Sequence, residues 1–455
     1  SDSLQTKVLN YMIKKLIKNP ELHDKIEFSL IPTCNSLFIK KNLKNFLNEK
    51  EIKIYSNLLI KLTNNILSNK NKNPFNDDIN KIEKLKILLN SKYLNESHPI
   101  QNIFYIIDIC KNLGTLPFAG IARTAFITTS LMKEFTETNM LSENRLSDFY
   151  KNIKSINYDF NYDLQKLLNS KISKKLFLKR YGHLRPNTYS INSLNYKEGF
   201  NQYFGTATKN KLSKKINFKL TKIEKEKINK ILNKIKLDID AIEFFKIAEK
   251  SIYYREYSKY IFSKAIDMIF INLIRLGKEI GVNRDDLQYV SIKTIVNSYS
   301  NLSPLKLAEI IKTEINQNKK SFKNLKAIKL PDVITSHKDI YNFTQGNSKE
   351  NYITSNKISS ALFYLDNSSN TKSFDKLKNK IVLIENADPG FDFLFSHNIN
   401  GLITQYGGVN SHMAIRCMEN NIPAAIGVGE KKFNFFKSCK KIELDCQSKK
   451  ITKLY

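Results

Sequence analysis

The chain has 455 residues, and its 74 Lys and Arg against 43 Asp and Glu give a formal net charge of +31. This length allows two or three domains with substantial cores. Eight positions are arginine, and lysine is scattered throughout, unlike the concentrated basic and aromatic surfaces of nucleic-acid-binding proteins. We therefore expect no specific nucleic-acid partner, although nonspecific binding to polyanions is expected at low salt.

Targeting and metal-binding signals are missing from the sequence. No apolar run approaches the ~20 residues of a membrane span, and no signal peptide is visible. The histidines at 23, 98, 337 and 397 lack metal-ligand spacing, and we predict no metal site. The cysteines show no C-x-x-C spacing, which predicts free thiols in a reducing cytoplasm. They are Cys34, Cys110, Cys417, Cys439 and Cys446.

Residues 1–324 are dominated by helical periodicity, with sparse glycine and proline. The segment from Ile239 to Ile280 should hold one long helix or two stacked ones, and Gly281 is a stop signal. Ser303-Pro304 begins a further helix. Other helical stripes run from Val8 to Leu16, from Ile52 to Leu67 and from Ile79 to Leu94. We predict a large, mainly-α domain over residues 1–324.

The pattern then changes to short strands and short helices. Residues 325–350 are polar and predict a linker. Within 351–455 we predict strands at Ile353, Ser360–Leu365, Ile381–Glu385 and Leu402–Thr404, and helices at Phe391–His397 and Ser411–Asn420. The chain is therefore expected to be multidomain, with a small α/β domain at 351–455 following the mainly-α domain. A tethered unit of this size suits a carrier that travels between two sites.

One motif in the α/β domain predicts chemistry. Gly407 and Gly408 follow a strand, Asn410-Ser411 opens a helix, and His412 lies in its first turn. Arg416, four residues later, shares the helix face of His412. Backbone N–H groups and the positive helix end can hold a phosphoryl group on the imidazole. On this spacing alone, an ordinary strand–turn–helix unit with a surface histidine is the favoured interpretation.

The same stretch resembles the swivelling phosphohistidine domain of the phosphoenolpyruvate-utilising family, whose pattern is GG-x-x-SH-x-AI-x-ARE-x-x-IPA-x-x-G. The matching residues are Gly407, Gly408, Ser411, His412, Ala414, Ile415, Glu419, Ile422, Pro423, Ala424 and Gly427. Cys417-Met418 replaces the Ala-Arg pair of the family. The resemblance implies that His412 is the phosphoryl carrier. It also implies that Gly407, Gly408 and Ser411 hold the phosphoryl group, while Arg416 takes over from the absent arginine.

Two segments of the helical region supply candidate acceptor-binding residues. Arg180, His183 and Arg185 surround Gly182, and the stretch resembles the RYGHRGPGE segment of rifampicin phosphotransferase-like enzymes. Asn187-Thr188 replaces the Gly-Glu of that segment. The stretch predicts either a phosphate or carboxylate site or a basic helix C-terminus that Gly182 ends, and the spacing favours neither.

Further candidates are Arg123, Arg255 and Glu256. Arg123 stands among small and apolar residues, where it could contact a substrate carboxylate or extend from a buried core helix to solvent. Arg255-Glu256 resembles a charged pair in the central domain of the same relatives, and a solvated helix face is the alternative.

The family architecture implies an ATP-grasp domain, a helical acceptor domain and the swivelling domain, in that order. We expect the ATP-grasp domain of the same polypeptide, missing from these residues, to bind ATP and Mg²⁺. As in phosphoenolpyruvate synthase-like dikinases, ATP would pyrophosphorylate His412 with release of AMP, and water would remove the terminal phosphate. Segments 386–392 and 410–416 are most similar to the L-glutamine kinases of capsule phosphoramidate synthesis, which implies L-glutamine as the acceptor.

Three alternatives remain at this level. The same chemistry could act on another acceptor, such as an antibiotic hydroxyl or pyruvate. The chain could instead be a basic nucleic-acid-binding protein with a relic swivelling domain. It could also be a regulatory or scaffold partner of a separately encoded ATP-grasp subunit.

Overall fold

The structure is a computed structural model. It describes residues 2–19, 43–44, 47–68, 73–92, 94, 97–209, 217–298, 303–325, 328, 330–331, 334, 336–341, 350–365, 374–408 and 411–455. Most of the predicted linker, together with His23, Cys34 and Asn410, lies outside the described residues. Within those ranges, no helix is both long enough and apolar enough to cross a bilayer.

Helices dominate the chain up to Leu325. In chain order they are α1 (Asp2–Lys18), α2 (Glu49–Leu67), α3 (Pro74–Leu88), α4 (Pro99–Cys110), α5 (Leu116–Glu137), α6 (Glu143–Asn152), α7 (Ile156–Leu168), α8 (Lys174–Tyr181), α9 (Phe200–Phe204), α10 (Lys222–Lys234), α11 (Ala241–Glu279), α12 (Arg284–Leu287), α13 (Ile292–Asn297) and α14 (Pro304–Leu325). A π-helical turn, Lys111–Thr115, joins α4 to α5. The helices predicted from periodicity are confirmed as α1, α2, α3, α11 and α14.

Local sequence signals explain several helix ends. Asn48 and Thr221 form capping boxes with Glu51 and Glu224, which satisfies the first backbone N–H groups of α2 and α10. The segment predicted as one or two helices is the single α11 of 39 residues. Gly281 follows it with a φ of +68°, a left-handed conformation that glycine adopts without a Cβ penalty.

The chain divides into two compact units, each assembled from segments that are distant in sequence. Unit 1 comprises 1–88, 109–156 and 213–262, and unit 2 comprises 89–108, 157–212 and 263–455. Unit 2 therefore combines the C-terminal α/β region with part of the helical region. This division does not coincide with the predicted boundary at 325–350, and the domain limits 1–324 and 351–455 stay a prediction.

Unit 1 is built from helices around an aromatic core. Helix α3 contacts both α5 and the π-helical turn. Phe135 meets Phe244 edge-on at 5.3 Å between ring centroids, and Phe149 meets Phe245 in the same way at 5.0 Å. These rings join α5 and α6 to the N-terminal end of α11 by apolar burial.

Unit 2 contains a seven-stranded sheet in the order β1-β5-β4-β3-β2-β6-β7. The strands are β1 (Asn351–Ile353), β2 (Lys357–Tyr364), β3 (Ile381–Ile384), β4 (Gly401–Thr404), β5 (Ala424–Ile426), β6 (Lys441–Asp445) and β7 (Lys450–Lys453). The pairs β2–β3, β3–β4 and β4–β5 are parallel, and the other pairs are antiparallel. Strands β1 to β4 confirm the sequence predictions, whereas β5, β6 and β7 were not predicted.

Two further helices complete the α/β region, α15 (His412–Glu419) and α16 (Gly429–Lys437). One sheet face packs on α16 through a core that includes Ile381, Ile403 and Phe433. The segment predicted as a short helix at Phe391–His397 is a 3₁₀ helix over Pro389–His397 that contacts α15 and α9. Tyr203 packs on Phe393 at 5.0 Å between ring centroids, so aromatic contacts fix this segment against the helical part of unit 2.

Candidate active site

The loop between β4 and α15 places His412 at the first position of the helix. Ser411 is the N-cap, and its Oγ accepts a hydrogen bond from the Ala414 N–H at 3.4 Å. Gly407 has a φ of +128°, and a Cβ there would lie 2.9 Å from the Cβ of Ala387. The predicted helix start is confirmed, and the conformation of the loop requires glycine at 407.

The His412 ring is buried beside a carboxylate. His412 Nε2 lies 2.8 Å from Asp392 Oδ1, and the two side chains are 5% and 4% exposed. This burial does not fit the alternative of a surface histidine. The carboxylate of Asp392 also accepts a hydrogen bond from Arg416 Nε at 2.9 Å, so a single oxygen contacts both predicted residues.

Arg416 is held at the centre of this group of charges. Its Nη1 donates to Glu419 Oε2 at 2.8 Å, and its guanidinium lies 4.9 Å from the Phe395 ring centroid. Its Nη2 is buried and has no hydrogen-bond partner among the described residues. A buried unpaired donor is costly, and it marks a position where an added anion would gain a charge-assisted hydrogen bond.

The electrostatics of the group follow from burial and charge. Burial alone would raise the pKa of Asp392, but the adjacent His412 and Arg416 charges outweigh it and hold that pKa below its ordinary value. Burial would lower the pKa of Arg416, but Asp392 and Glu419 raise it instead. Asp392 is therefore an ionised acceptor of hydrogen bonds from both His412 Nε2 and Arg416 Nε.

The predicted acceptor residues of unit 2 have intramolecular partners. Arg185 is buried, forms an ion pair with Asp267, and donates to the Ser193 carbonyl at 3.1 Å. Arg180 pairs with Asp163 and is about half exposed, since 51% of its side-chain surface is accessible. His183 is partly buried, one residue beyond the Gly182 C-cap of α8. Arg185 is thus a core residue. Arg180 lies at the end of a helix, as expected for the alternative of a basic helix C-terminus that Gly182 ends.

The remaining acceptor candidates belong to unit 1. Arg123 is exposed on α5, where its charge partly opposes the burial that raises the pKa of Asp78. Arg255 and Glu256 are both buried on α11, and Arg255 Nε donates to Glu256 Oε1 at 3.0 Å. Arg123 is thus exposed on a helix whose neighbouring residues Ala122 and Thr124 are buried, which fits the alternative of an arginine that extends from a core helix to solvent. The Arg255–Glu256 pair is not a solvated helix face.

The segment before Asp392 contacts the helical part of unit 2. Asp388 Oδ1 accepts a hydrogen bond from the Thr188 hydroxyl at 2.8 Å, and Asp388 Oδ2 accepts one from the Thr188 N–H at 3.1 Å. Tyr196 OH donates to the Gly390 carbonyl at 2.8 Å. Thr188, which replaces the acidic residue of the resembling segment, is thus paired with an acid from another part of the chain.

Sequence reasoning missed Asp392 as a member of the site. It lies 20 residues before His412, so no short motif joins the two. The available signal was an acidic residue between Phe391 and Phe393, because a carboxylate within an aromatic run requires a charged partner when that run is buried. Within the described ranges, no group of three or more His, Cys, Asp or Glu side chains is placed to hold a metal ion.

Comparison with known proteins agrees with this geometry. No curated protein sequence matches the chain. Residues 377–449 match the family model described as PEP-utilising enzyme, mobile domain. The matched region runs from before β3 to the end of β6 and contains Asp392, His412 and Arg416. This match supports phosphohistidine-based phosphotransfer, and it identifies residues 377–449 as a mobile domain of the PEP-utilising type.

Proposed function

We propose that the protein is a phosphotransferase in which His412 carries a phosphoryl group to the side-chain amide nitrogen of L-glutamine. The observation that carries the proposal is His412 at the N-terminus of α15, within the matched mobile domain and beside the Arg416 guanidinium. The imidazole attacks in its neutral form, because the nitrogen that bonds to phosphorus must offer a lone pair.

The phosphoryl group on His412 needs positively charged or hydrogen-bond-donating partners, and several parts of the proposed site supply them. The N-terminal end of α15 carries a partial positive charge. The glycine loop at Gly407 and Gly408 allows close approach of backbone N–H groups, and the N-cap residue Ser411, next to His412 in sequence, offers a hydroxyl. The buried Nη2 of Arg416 supplies a charge-assisted donor.

L-glutamine as acceptor is supported by the similarity of segments 386–392 and 410–416 to the L-glutamine kinases. The first of these segments contacts Thr188 and Tyr196, close in sequence to the proposed acceptor residues Arg180 and His183. An amide nitrogen is a poor nucleophile, so positioning and charge neutralisation must supply most of the rate. Within unit 2 we assign acceptor binding to Arg180 and proton removal to His183.

We further propose ATP as the phosphoryl donor, bound with Mg²⁺ in an ATP-grasp domain of the same polypeptide. The residues around His412 do not fit a magnesium site, because Asp392 already accepts from His412 and Arg416. The ATP-derived steps would release AMP and phosphate.

Phosphorus NMR of the protein together with its ATP-grasp domain, Mg²⁺, ATP and L-glutamine tests the proposal. We expect a phosphoramidate signal together with AMP and phosphate, and we expect all three to be lost in His412→Asn. AMP and phosphate without a glutamine-derived signal would retain the phosphohistidine and exclude this acceptor. Absence of ATP turnover would overturn the proposed donor. Unchanged transfer to L-glutamine in Arg180→Ala or His183→Ala would remove those residues from the acceptor site.

A further inference from the structure

Asp392 places a carboxylate oxygen between the proposed nucleophile and its cation. Oδ1 lies 2.8 Å from His412 Nε2 and 2.9 Å from Arg416 Nε. All three side chains are at least nine-tenths buried, with exposures of 4%, 5% and 1%. An anion therefore already occupies the position where a phosphoryl oxygen on Nε2 would meet the guanidinium.

A carboxylate and a phosphoryl group cannot occupy this position together. A bond from Nε2 to phosphorus is shorter than the present hydrogen bond, so the phosphoryl oxygens would overlap Oδ1. A phosphoryl group also carries up to about two negative charges near neutral pH, which repel an ionised carboxylate. Arg416 can exchange one anion for the other, because its Nη2 is buried and unpaired among the residues described.

We propose, resting on the function proposed above, that Asp392 is a positioning residue that substitutes for the phosphoryl group in the unphosphorylated protein. It holds His412 Nε2 and Arg416 in place, and it gives up both contacts when Nε2 is phosphorylated. The Nε2 proton passes to water, and the freed Nε2 lone pair then bonds to phosphorus. The bond from phosphorus to its donor atom breaks in the same step, and the donor atom leaves with that electron pair.

A movement of Asp392 would be transmitted to the helical part of unit 2 through the 3₁₀ helix Pro389–His397. The Ser396 carbonyl accepts hydrogen bonds from the Thr208 N–H and hydroxyl, both at 2.9 Å. His397 Nε2 lies 2.9 Å from the Tyr203 carbonyl. Since Ser396 and His397 follow Asp392 on the same short helix, phosphorylation of His412 should loosen these contacts.

The first experiment phosphorylates the protein with potassium phosphoramidate, which needs neither nucleotide nor acceptor. In this reaction the P–N bond of the reagent breaks, ammonia leaves and the N–P bond to histidine forms. We expect His412 in Asp392→Asn to be labelled about tenfold faster than in the wild type, because a charge-assisted hydrogen bond no longer holds Nε2. Intact-protein mass and peptide mapping measure the rate.

Asp445→Asn is the matched control. It makes the same chemical change on β6, which does not pair with β4 or β5, and it should be labelled at the wild-type rate. A rate for Asp392→Asn equal to or below that of the wild type would overturn the proposal. Phosphorylation at Nδ1, assigned by ¹⁵N and ³¹P NMR, would overturn it as well.

A second measurement uses the wild-type protein and does not depend on whether Asp392→Asn folds. Amide exchange at Thr208 should be faster after phosphoramidate labelling, whereas exchange at Leu402, which donates to the Pro423 carbonyl within the sheet, should be unchanged. Equal exchange at Thr208 before and after labelling would contradict the proposal. Because no ATP or glutamine is present, these results can fail while transfer from ATP to glutamine succeeds, and the reverse also holds.

Discussion

At the scale of single residues, the site depends on compensation between buried charges. Asp392, His412 and Arg416 are each withdrawn from water, which is costly unless the charges are paired and hydrogen-bonded. The chain departs from the resembling pattern at Met418, where that pattern has an arginine, and Arg416 is the nearby arginine that the chain has instead. Met418 is exposed here, whereas Arg416 is buried against Asp392, so the cation lies one turn from the histidine and inside the domain.

Replacement of Arg416 by methionine tests this compensation. Arg416→Met retains a long apolar side chain but leaves Asp392 with only the imidazole as a partner. We expect the free energy of unfolding to fall by about 3–5 kcal/mol, the usual effect of removing one member of a buried ion pair. Urea unfolding followed by circular dichroism measures the change.

The control for this variant is Lys357→Met in the same α/β region, where the lysine side chain is 56% exposed and pairs with Glu443. An exposed ion pair contributes little to the free energy of unfolding, so the control should unfold near the urea midpoint of the wild type. Equal midpoints for Arg416→Met and the wild type would show that the buried network is not structurally important.

At the scale of elements, sequence periodicity was sufficient for α1, α2, α3, α11 and α14 and for β1 to β4, but not for the remaining strands. In the run Lys441–Asp445, buried Ile442 and Leu444 alternate with more exposed charged residues. This alternation is typical of a strand, although the composition of the run is mostly charged. The pairing of β1 with β5 joins residues more than 70 positions apart, and no local pattern specifies such a partner. The same distance argument explains why the His412 motif was found from sequence and Asp392 was not.

Gly390 determines how closely the 3₁₀ helix approaches the segment around Arg185. A Cβ at Gly390 would collide with the Arg185 carbonyl and with the Pro186 nitrogen. Gly390→Ala should therefore destabilise unit 2 by roughly 1–3 kcal/mol and speed amide exchange at Thr208. Gly401→Ala, where the nearest atoms to the added Cβ lie at 3.1 and 3.2 Å, should have a smaller effect. A larger effect at Gly401 would contradict this account.

Because of His397, the contact between the 3₁₀ helix and the helical part of unit 2 depends on pH. Burial lowers the pKa of His397 below 6.5, although the hydrogen bond to the Tyr203 carbonyl and the Asp375 charge oppose this. Between the folded and unfolded pKa values the unfolded chain binds more protons, so stability rises with pH. The contribution of His397 is complete above about pH 6.5 and is lost as the pH falls below that value.

The matched variant for His397 is His397→Gln, whose side-chain amide can still donate to the Tyr203 carbonyl but does not titrate. We expect the free energy of unfolding of the wild type, measured relative to this variant, to decrease from pH 7.5 to pH 5.5. A wild-type advantage that grows as the medium becomes acidic would show that His397 is protonated in the folded protein.

At the scale of the whole molecule, the chain has two compact units and a net charge of +31. A charge of this size raises the question of whether the protein is an enzyme or a nucleic-acid-binding protein. Of the 74 basic residues, eight are arginine and 74 − 8 = 66 are lysine. Several of the arginines form intramolecular ion pairs, including Arg145 with Glu224 and Arg284 with Glu198. Arginines held in such pairs are less available for bidentate recognition of nucleic-acid phosphates or bases, which favours the enzyme.

Binding to nucleic acid should accordingly be electrostatic and independent of sequence. We expect two unrelated DNA duplexes of equal length to bind with the same affinity at every salt concentration. If about 6–10 phosphates are contacted, that affinity should fall by about 10³–10⁵-fold between 50 and 200 mM salt. Fluorescence anisotropy titrations measure both quantities. A preference of tenfold or more for one duplex at physiological salt, about 1.4 kcal/mol, would instead require direct or shape-based readout. That result would favour the nucleic-acid-binding alternative over the phosphotransferase.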